Sequence, residues 1–307
     1  MFPRTDLILQ GIQTNNPLNK TAFTMKISAL FFCLFLFCSC NELNGNKNDD
    51  GLKGRERDLP KNMTYSYDCL KGDSSKISDI WSKADNLINK VATYDIEVTD
   101  EDQMKYGDTF LIESQKDKKF IIDHTNPVNT KLQTILTDLV QERTKPTGIR
   151  YKIYLLKDTA TINAYTVGGK VFITTAMINK CKNDDQLYAI IGHEIGHNEK
   201  GHIKASLKQL KASREYFGDW GEALVSIKKL LTGSFNQKNE MEADYYGLDL
   251  SWKLGYDVCA IKSFWDDLSK GEEKEDWFNF FRTHPYSDVR SNCLTAHIRK
   301  NFEVTCK

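Results

Sequence analysis

The motif His-Glu-Ile-Gly-His at residues 193–197 constrains this chain more than any other feature. In a helix of about 3.6 residues per turn, His193 and His197 lie one turn apart on one face, so both imidazoles can bind one metal ion. Glu194 lies about 100° round the helix, where its carboxylate can deprotonate a metal-bound water without ligating the ion. Because zinc lowers the pKa of its bound water and polarises a carbonyl, the motif predicts a zinc site for peptide hydrolysis. The alternative is a chance pentapeptide in an ordinary amphipathic helix.

The residues around the motif favour a helix. Asn183 is a suitable N-cap, Gln186 follows three residues later in the capping-box position, and the apolar run 187–191 leads into the motif. Gly192 and Gly196 each cost about 1 kcal/mol relative to Ala inside a helix. Two such glycines beside the histidines predict that another backbone approaches closely.

A second acidic segment offers the third ligand that catalytic zinc usually requires. Glu240 and Asp244 are four residues apart and share a helix face, so one can bind the metal while the other accepts the free N–H of a ligand histidine. Glu242 is predicted to point away from that face. The small Ala243 favours tight packing against the helix that carries His193. The alternative is an acidic, solvated helix face.

These motifs and two others follow one another along the chain in this order: Asn163-Ala164-Tyr165 with Gly168-Gly169, His193-Glu194-Ile195-Gly196-His197, Glu240-x-x-Ala243-Asp244, and Thr283-His284-Pro285 with Arg290. From about residue 120 to residue 300 the chain resembles the zinc metallopeptidases that include the CAAX prenyl peptidases, the HtpX-like proteases and the periplasmic BepA/LoiP-like proteases. The resemblance implies one zinc ion per chain with these roles: ligands His193, His197 and Glu240, general base Glu194, and supporting carboxylate Asp244. The multiple membrane spans of the CAAX peptidases are missing, so the resemblance is to the soluble, exported branch.

The same resemblance places His284 and Arg290 beside the zinc, near the oxyanion side. A residue before a proline favours extended backbone, so His284 is expected to project from a loop. Its imidazole can donate to the developing oxyanion, or it can occupy the open zinc position as a fourth ligand in the resting enzyme. We favour the second role, because a tethered neutral imidazole has a high effective concentration and binds zinc better than water does.

The pattern of apolar residues predicts an α+β fold, mostly helical, with a small sheet packed on the helix of the His-Glu-x-x-His motif. Helices are predicted at 77–91 and 128–141, and strands at 151–156 and 171–175. By resemblance, the segment Ala164-Tyr165-Thr166-Val167 forms the strand that borders the active site. An extended substrate is expected to pair with its edge, since strand addition binds a backbone without demanding a sequence.

The amino-terminal region predicts export. Lys26 precedes about a dozen apolar residues at 27–38, too few to span a bilayer but typical of a signal-peptide core. Ser39 and Cys40 follow, as in a bacterial lipoprotein signal in which Cys40 is acylated, although Phe37 replaces the usual Leu. The alternatives are a simple cleaved signal and an uncleaved anchor. Met25 is a natural start, which makes residues 1–24 an upstream extension.

The domain organisation follows from composition. Residues 1–40 form the export segment, and the polar residues 41–60 form a flexible linker that buries too little apolar surface to fold alone. Residues 61–307 form a single metallopeptidase domain. The net charge is zero and basic patches are missing, so nucleic acid is excluded as a partner.

The other cysteines and histidines leave several alternatives open. Five cysteines follow the export segment, and they are either buried thiols or form one or two disulfides of unreadable connectivity. His202 falls about 140° round the helix from His197, which predicts a surface or core residue and not a ligand. His124 and His297 are expected to be structural.

The sequence as a whole predicts an exported, lipid-anchored zinc endopeptidase of the bacterial periplasm. Its expected substrates are extended segments of unfolded or misassembled envelope proteins. The alternative from another class is a non-enzymatic envelope chaperone or assembly factor that retains the fold, against which the intact Glu194 argues. A third is a soluble zinc protein anchored on the inner face. The segment 203–238 is either a lid or a pair of substrate-contacting helices.

Overall fold

A computed structural model describes residues 56–70, 95–217, 235–269, 284 and 288–306. All of these belong to one compact unit, Asp50–Lys307. The export segment and the helix predicted at 77–91 lie outside the described residues, as does most of the linker. The domain boundaries at residues 40 and 60 therefore stay predictions.

The described chain is mostly helical and contains one small sheet, which confirms the α+β class. Its helices are α1 (Asp100–Ser114), α2 (Val128–Gln141), α3 (Thr175–Lys180), α4 (Asp184–Glu199), α5 (His202–Phe217), α6 (Gln237–Lys253), α7 (Val258–Ser269) and α8 (Asp288–Phe302), and its strands are β1 (Lys152–Leu156), β2 (Ala164–Val167) and β3 (Lys170–Thr174). A 3-10 turn at Asp68–Leu70 precedes them. Helix α2 has the predicted bounds, and β1 and β3 begin and end within one residue of theirs. None of the described helices is long and apolar enough to cross a bilayer.

The sheet has the strand order β1-β3-β2, with β1 parallel and β2 antiparallel to the central β3. Strands β2 and β3 are joined at Gly168 and Gly169, whose φ angles are 52° and 83°. A side chain at Gly168 would also place its Cβ 1.9 Å from the carbonyl oxygen of Gln103. This turn therefore requires glycine, and it lies directly against helix α1.

The register of the hairpin determines which backbone groups of β2 point away from β3. Thr174 donates its N–H to the carbonyl of Asn163, so these two residues form a hydrogen-bonded pair. Such pairs alternate along an antiparallel ladder, and the N–H and C=O groups of Ala164 and Thr166 therefore face away from β3. Among the described strands, only β3 pairs with β2.

Helix α4 runs through the core and is capped as the sequence predicts. The side chain of Asn183 accepts the N–H of Gln186. The reciprocal half of the predicted capping box is wrong, because the Gln186 side chain accepts the N–H of Lys182 instead. The apolar side chains of α4, including Ile190 and Ile195, are buried among helices α2, α6 and α7 and the sheet.

Two disulfides connect the ends of the described chain to its core. Cys69 pairs with Cys293 of α8, and Cys306 pairs with Cys259 of α7, with Cα separations of 5.4 and 5.3 Å. Cys181 is a free, half-buried thiol. Of the two alternatives left open by the sequence, disulfides are therefore correct for four of the five cysteines.

Candidate metal centre

Helices α4 and α6 and one loop residue bring four ligand side chains together. The atoms Nε2 of His193 and Nε2 of His197 lie 3.0 Å apart, and Nδ1 of His284 lies 3.1 Å from Nε2 of His193. The Glu240 carboxylate completes the group, with one oxygen 3.5 Å from His193 and the other 3.5 Å from His197. All the ligand atoms lie within 4.8 Å of one another, and all four residues are buried.

This cluster fits a metal ion. Ligand atoms around a tetrahedral zinc, each bonded at about 2.0–2.1 Å, stand about 3.3 Å from one another, close to the separations of 3.0–3.5 Å found here. Both oxygens of Glu194 are buried without a hydrogen bond to any described residue. Leaving buried carboxylate oxygens unsatisfied is costly, and a cation with its bound water would satisfy them.

A buried arginine holds the acids of helix α6. Asp244 Oδ1 accepts from Nδ1 of His193 at 2.8 Å, and Arg290 donates to both Asp244 oxygens at 2.9 Å. Another nitrogen of Arg290 lies 3.0 Å from Glu240 Oε2. The sequence predicts Arg290 near the oxyanion side, and the contacts described here direct its guanidinium to the two acids. Its contacts are those of a positioning residue.

Burial and neighbouring charge shift the pKa values of the acids. Burial raises the pKa of Glu194 above its ordinary value, although His284 and His193 oppose the shift. Burial alone would also raise the pKa of Glu240 and Asp244, but the net shift of both is downward. For Glu240, the charges of His284 and Arg290 outweigh burial, so its pKa is lowered. For Asp244, Arg290 and the hydrogen bond from His193 do the same.

The two histidines with shifted pKa values differ in direction. Burial holds the pKa of His197 well below its ordinary value, and the neighbouring His193 and His284 lower it further. Burial also lowers the pKa of His284, but the carboxylates of Glu240 and Glu194 outweigh burial and raise it. A neutral His197 is the form that can bind a metal.

The sequence-based placement of His202 and Glu242 was incomplete. Helix α4 ends before Gly201, whose φ of 76° turns the chain, and His202 begins helix α5. The arithmetic that placed His202 140° from His197 assumed a continuous helix and was wrong. His202 Nδ1 lies 3.1 Å from His197 Nδ1, and its Nε2 lies 2.9 Å from Glu242. Glu242 is outside the cluster, as predicted, yet it is connected to it. The signal in the sequence was Gly201, a typical helix C-terminal residue.

Two further residues near the cluster were missed. Asn198, next to His197, accepts the N–H of Gly169 at 3.2 Å and donates to Thr166 Oγ1 at 2.8 Å, which fixes the β2–β3 hairpin to helix α4. Phe235 stacks on the ring of His197 at a centroid distance of 4.1 Å. Its contact depends on tertiary packing alone, so no local pattern marks it.

The fold, the motif and this cluster define a metallopeptidase. The profile of Peptidase family M48 matches residues 127–298, more than half of the 307 residues. The chain is 26% identical over 202 residues to Metalloprotease LoiP of Escherichia coli, with 62% of this chain and 77% of LoiP covered. It is 29% identical over 154 residues to Mitochondrial metalloendopeptidase OMA1 of Schizosaccharomyces pombe, with 46% of this chain and 45% of the relative covered. The Beta-barrel assembly-enhancing protease of Escherichia coli is 28% identical over 134 residues, with 38% of this chain and 28% of the relative covered.

The chain therefore belongs to Peptidase family M48, which confirms the resemblance drawn from the motifs. It is a metalloendopeptidase, and its substrates are polypeptides. It spans less than half of the OMA1 relative and of the assembly-enhancing protease.

Proposed function

We propose that this protein is a zinc-dependent endopeptidase of the bacterial cell envelope that hydrolyses unfolded or misassembled proteins. The observation that carries the proposal is the buried group of His193, His197, Glu240 and His284, with the carboxylate of Glu194 facing it without a hydrogen bond. Imidazole and carboxylate donors at these separations suit zinc.

In this proposal, His193, His197 and Glu240 hold the zinc and Glu194 is the general base. When bound, zinc supplies Lewis acidity and lowers the pKa of its water. Glu194 would act as the general base toward a water molecule and as the carrier of its proton to the leaving amine. Burial raises the pKa of Glu194, which brings it nearer to neutral pH and improves it as a proton carrier.

The role of His284 extends the proposal. Its Nδ1 lies 3.1 Å from His193 and 3.3 Å from Glu240, which supports a fourth-ligand role in the resting enzyme. Its Nε2 lies 3.4 Å from Glu194 Oε1, so the imidazole also contacts the proposed base. An imidazole in this place excludes the substrate carbonyl, so the His284 side chain must leave it before hydrolysis.

The proposed substrate site is the edge of β2 that faces away from β3. The backbone groups of Ala164 and Thr166 face away from β3, and Asn198 fixes this strand to the helix that carries the two motif histidines. A substrate in extended conformation adds to this edge through backbone hydrogen bonds, which accept many sequences. The protease likeness to LoiP and to the assembly-enhancing protease supports envelope substrates.

Export and lipid anchoring at Cys40 complete the proposal. The support comes from the signal-like sequence at residues 26–40 and from the two disulfides, which typically form in oxidising compartments. Removal of the signal leaves a domain tethered through the polar residues 41–60.

The test compares metal content and cleavage of an unfolded protein in four forms of the full chain. We expect wild type and the exposed-site control Glu101→Gln to bind about one zinc and to cleave. Glu194→Gln should keep the metal and lose hydrolysis, because all ligands stay in place. Glu240→Gln should lose zinc affinity, since an amide is a weak zinc ligand. Full hydrolysis by Glu194→Gln would overturn the mechanism. Unchanged envelope function in that variant would favour the chaperone alternative.

A further inference from the structure

A chain of hydrogen-bonded side chains leads from the metal cluster toward the protein surface. His197 directs Nε2 into the cluster and Nδ1 toward His202, whose Nδ1 lies 3.1 Å away. The other nitrogen of His202, Nε2, lies 2.9 Å from Oε2 of Glu242. His202 is buried, with 5% of its surface exposed, and the side chain of Glu242 is 24% exposed. The chain therefore begins at a fully buried imidazole and ends at a carboxylate that reaches solvent.

Metal binding determines the direction of each bond in this chain. A nitrogen that binds a metal carries no proton, so a His197 bound through Nε2 is protonated at Nδ1 and donates to His202. His202 must then accept at Nδ1, which leaves its own proton on Nε2 for donation to Glu242. An ionised carboxylate only accepts, so Glu242 ends the chain with every donor and acceptor matched.

The second motif histidine is supported in a different way. His193 contacts a carboxylate directly, through the 2.8 Å bond from its Nδ1 to Asp244, and Arg290 holds that carboxylate. His197 reaches its carboxylate through an intervening imidazole. Both supporting acids come from helix α6, on either side of Ala243, so one helix supplies support to both histidines.

A backbone feature places His202 within reach. Gly201 has a φ of 76°, a conformation that other residues rarely adopt, and it separates helix α4 from α5. A continuous helix would carry His202 about 140° away from His197. The turn at Gly201 instead brings the two rings to a centroid distance of 5.1 Å.

We propose that His202 and Glu242 are positioning residues that hold His197 in the tautomer and orientation required to bind the metal through Nε2. The inference rests on the proposed metal site, because it needs His197 as a ligand. Partners of this kind typically change metal affinity by about 10- to 100-fold when they are removed.

The test uses the full chain loaded with zinc or cobalt. His202→Ala and Glu242→Ala should each raise the rate of zinc release to a chromophoric chelator by about 10- to 100-fold, and both should shift the visible absorption of the Co²⁺ form. His202→Gln should release zinc more slowly than His202→Ala, since an amide both accepts and donates a hydrogen bond. Glu242→Gln should stay close to wild type, because its carbonyl accepts the same N–H. Lys238→Ala is the matched control: its ammonium lies 3.6 Å from the other Glu242 oxygen and its side chain is 62% exposed.

Three results would overturn the proposal. Zinc release and Co²⁺ spectra identical to wild type in both Ala variants would show that neither residue acts on the metal. A lower thermal stability with an unchanged Co²⁺ spectrum would show a structural role alone. NMR of the zinc-loaded wild type with ¹⁵N-labelled histidine shows which nitrogen of His202 carries the proton. A proton on Nδ1 instead of Nε2 would contradict the proposed direction of the hydrogen bonds. This measurement does not depend on how the variants fold.

His197→Ala distinguishes failure of the proposed positioning role from failure of the proposed function. If wild type binds zinc and His197→Ala loses it, the metal site stands and the other variants test the positioning role of His202 and Glu242 alone. If His197→Ala binds zinc as tightly as wild type does, His197 is not a ligand, and both the proposed site and the positioning role are wrong.

Discussion

Gly192 and Gly247 meet where helices α4 and α6 cross, and a Cβ built on Gly192 would lie 2.8 Å from the Cα of Gly247. One turn further along, a Cβ on Gly196 would lie 3.0 Å from the Cα of Ala243. The backbones of α4, which carries the motif histidines, and of α6, which carries Glu240, are therefore in contact at these two positions. The predicted close approach at both glycines is confirmed, and it explains how ligands from two helices reach one another.

Gly192→Ala should therefore weaken both the fold and the metal site. In an open helix this substitution stabilises by about 1 kcal/mol, but here the added methyl forces the helices apart and should cost about 1–3 kcal/mol. Chemical denaturation of the metal-free protein measures the stability, and chelator competition measures zinc affinity. Increased stability with unchanged zinc affinity would contradict the packing argument.

How much of this arrangement the sequence predicts depends on whether the cause is local. Helix α2 and the cap of α4 follow from apolar periodicity and from Asn183, which act over a few residues. Helix spacing also places the two motif histidines on one face, and it places Glu240 and Asp244 on one face, whereas the choice of Glu240 as the ligand came from the family resemblance. The close approach of another backbone to α4 was also predictable, because glycine is unfavourable inside a helix and two glycines flank the motif.

The remaining features depend on contacts between distant parts of the chain. The pairing of Cys69 with Cys293 spans 224 residues, and no spacing rule determines it. Arg290 binds Asp244 only because helix α8 packs near α6. His202 was misplaced because helix arithmetic fails once Gly201 turns the backbone.

Glu199 should make the stability of this protein depend on pH. It accepts from Arg143 at 2.6 Å, from Tyr151 at 2.8 Å, and from the N–H and hydroxyl of Thr147 at 2.9 Å. Burial raises the pKa of Glu199, but these hydrogen bonds outweigh burial, so its folded-state pKa lies below the ordinary value of 4.5. A lowered folded-state pKa contributes stability above about pH 4.5, and this contribution is lost as the pH falls through the folded-state value.

The variant Glu199→Gln tests this pH dependence. At neutral pH it should be less stable than wild type by about 1.5–3 kcal/mol, the typical contribution of a hydrogen bond to a charged group. The difference should shrink as the pH is lowered below 4.5. Glu101→Gln is the control, because its partner Lys105 is 3.9 Å away and both side chains are more than two-thirds exposed. A stability difference that stays constant between neutral and acidic pH would contradict the assignment.

Membrane attachment should depend on Cys40. If Cys40 is acylated, Cys40→Ala should move the protein from the membrane fraction to the soluble fraction after cell breakage. Cys38→Ala is the matched control, since it removes a thiol from the apolar run of the same signal and leaves the acylation position intact. Fractionation followed by immunoblotting measures the distribution. Equal membrane association of Cys40→Ala and wild type would rule out the lipoprotein interpretation.

His284 should restrain the resting enzyme. Its Nδ1 is 3.1 Å from His193 Nε2, within the spacing of ligands around one ion, and the carboxylates of Glu240 and Glu194 raise its pKa by stabilising the protonated form. With zinc bound, a neutral His284 fills the position that the substrate carbonyl and water require. His284→Ala should therefore increase cleavage of an unfolded protein while it lowers zinc affinity. If His284 instead donates to the oxyanion, the same variant should lose about 10²- to 10³-fold in kcat. A variant equal to wild type in both kcat and zinc affinity would rule out both roles.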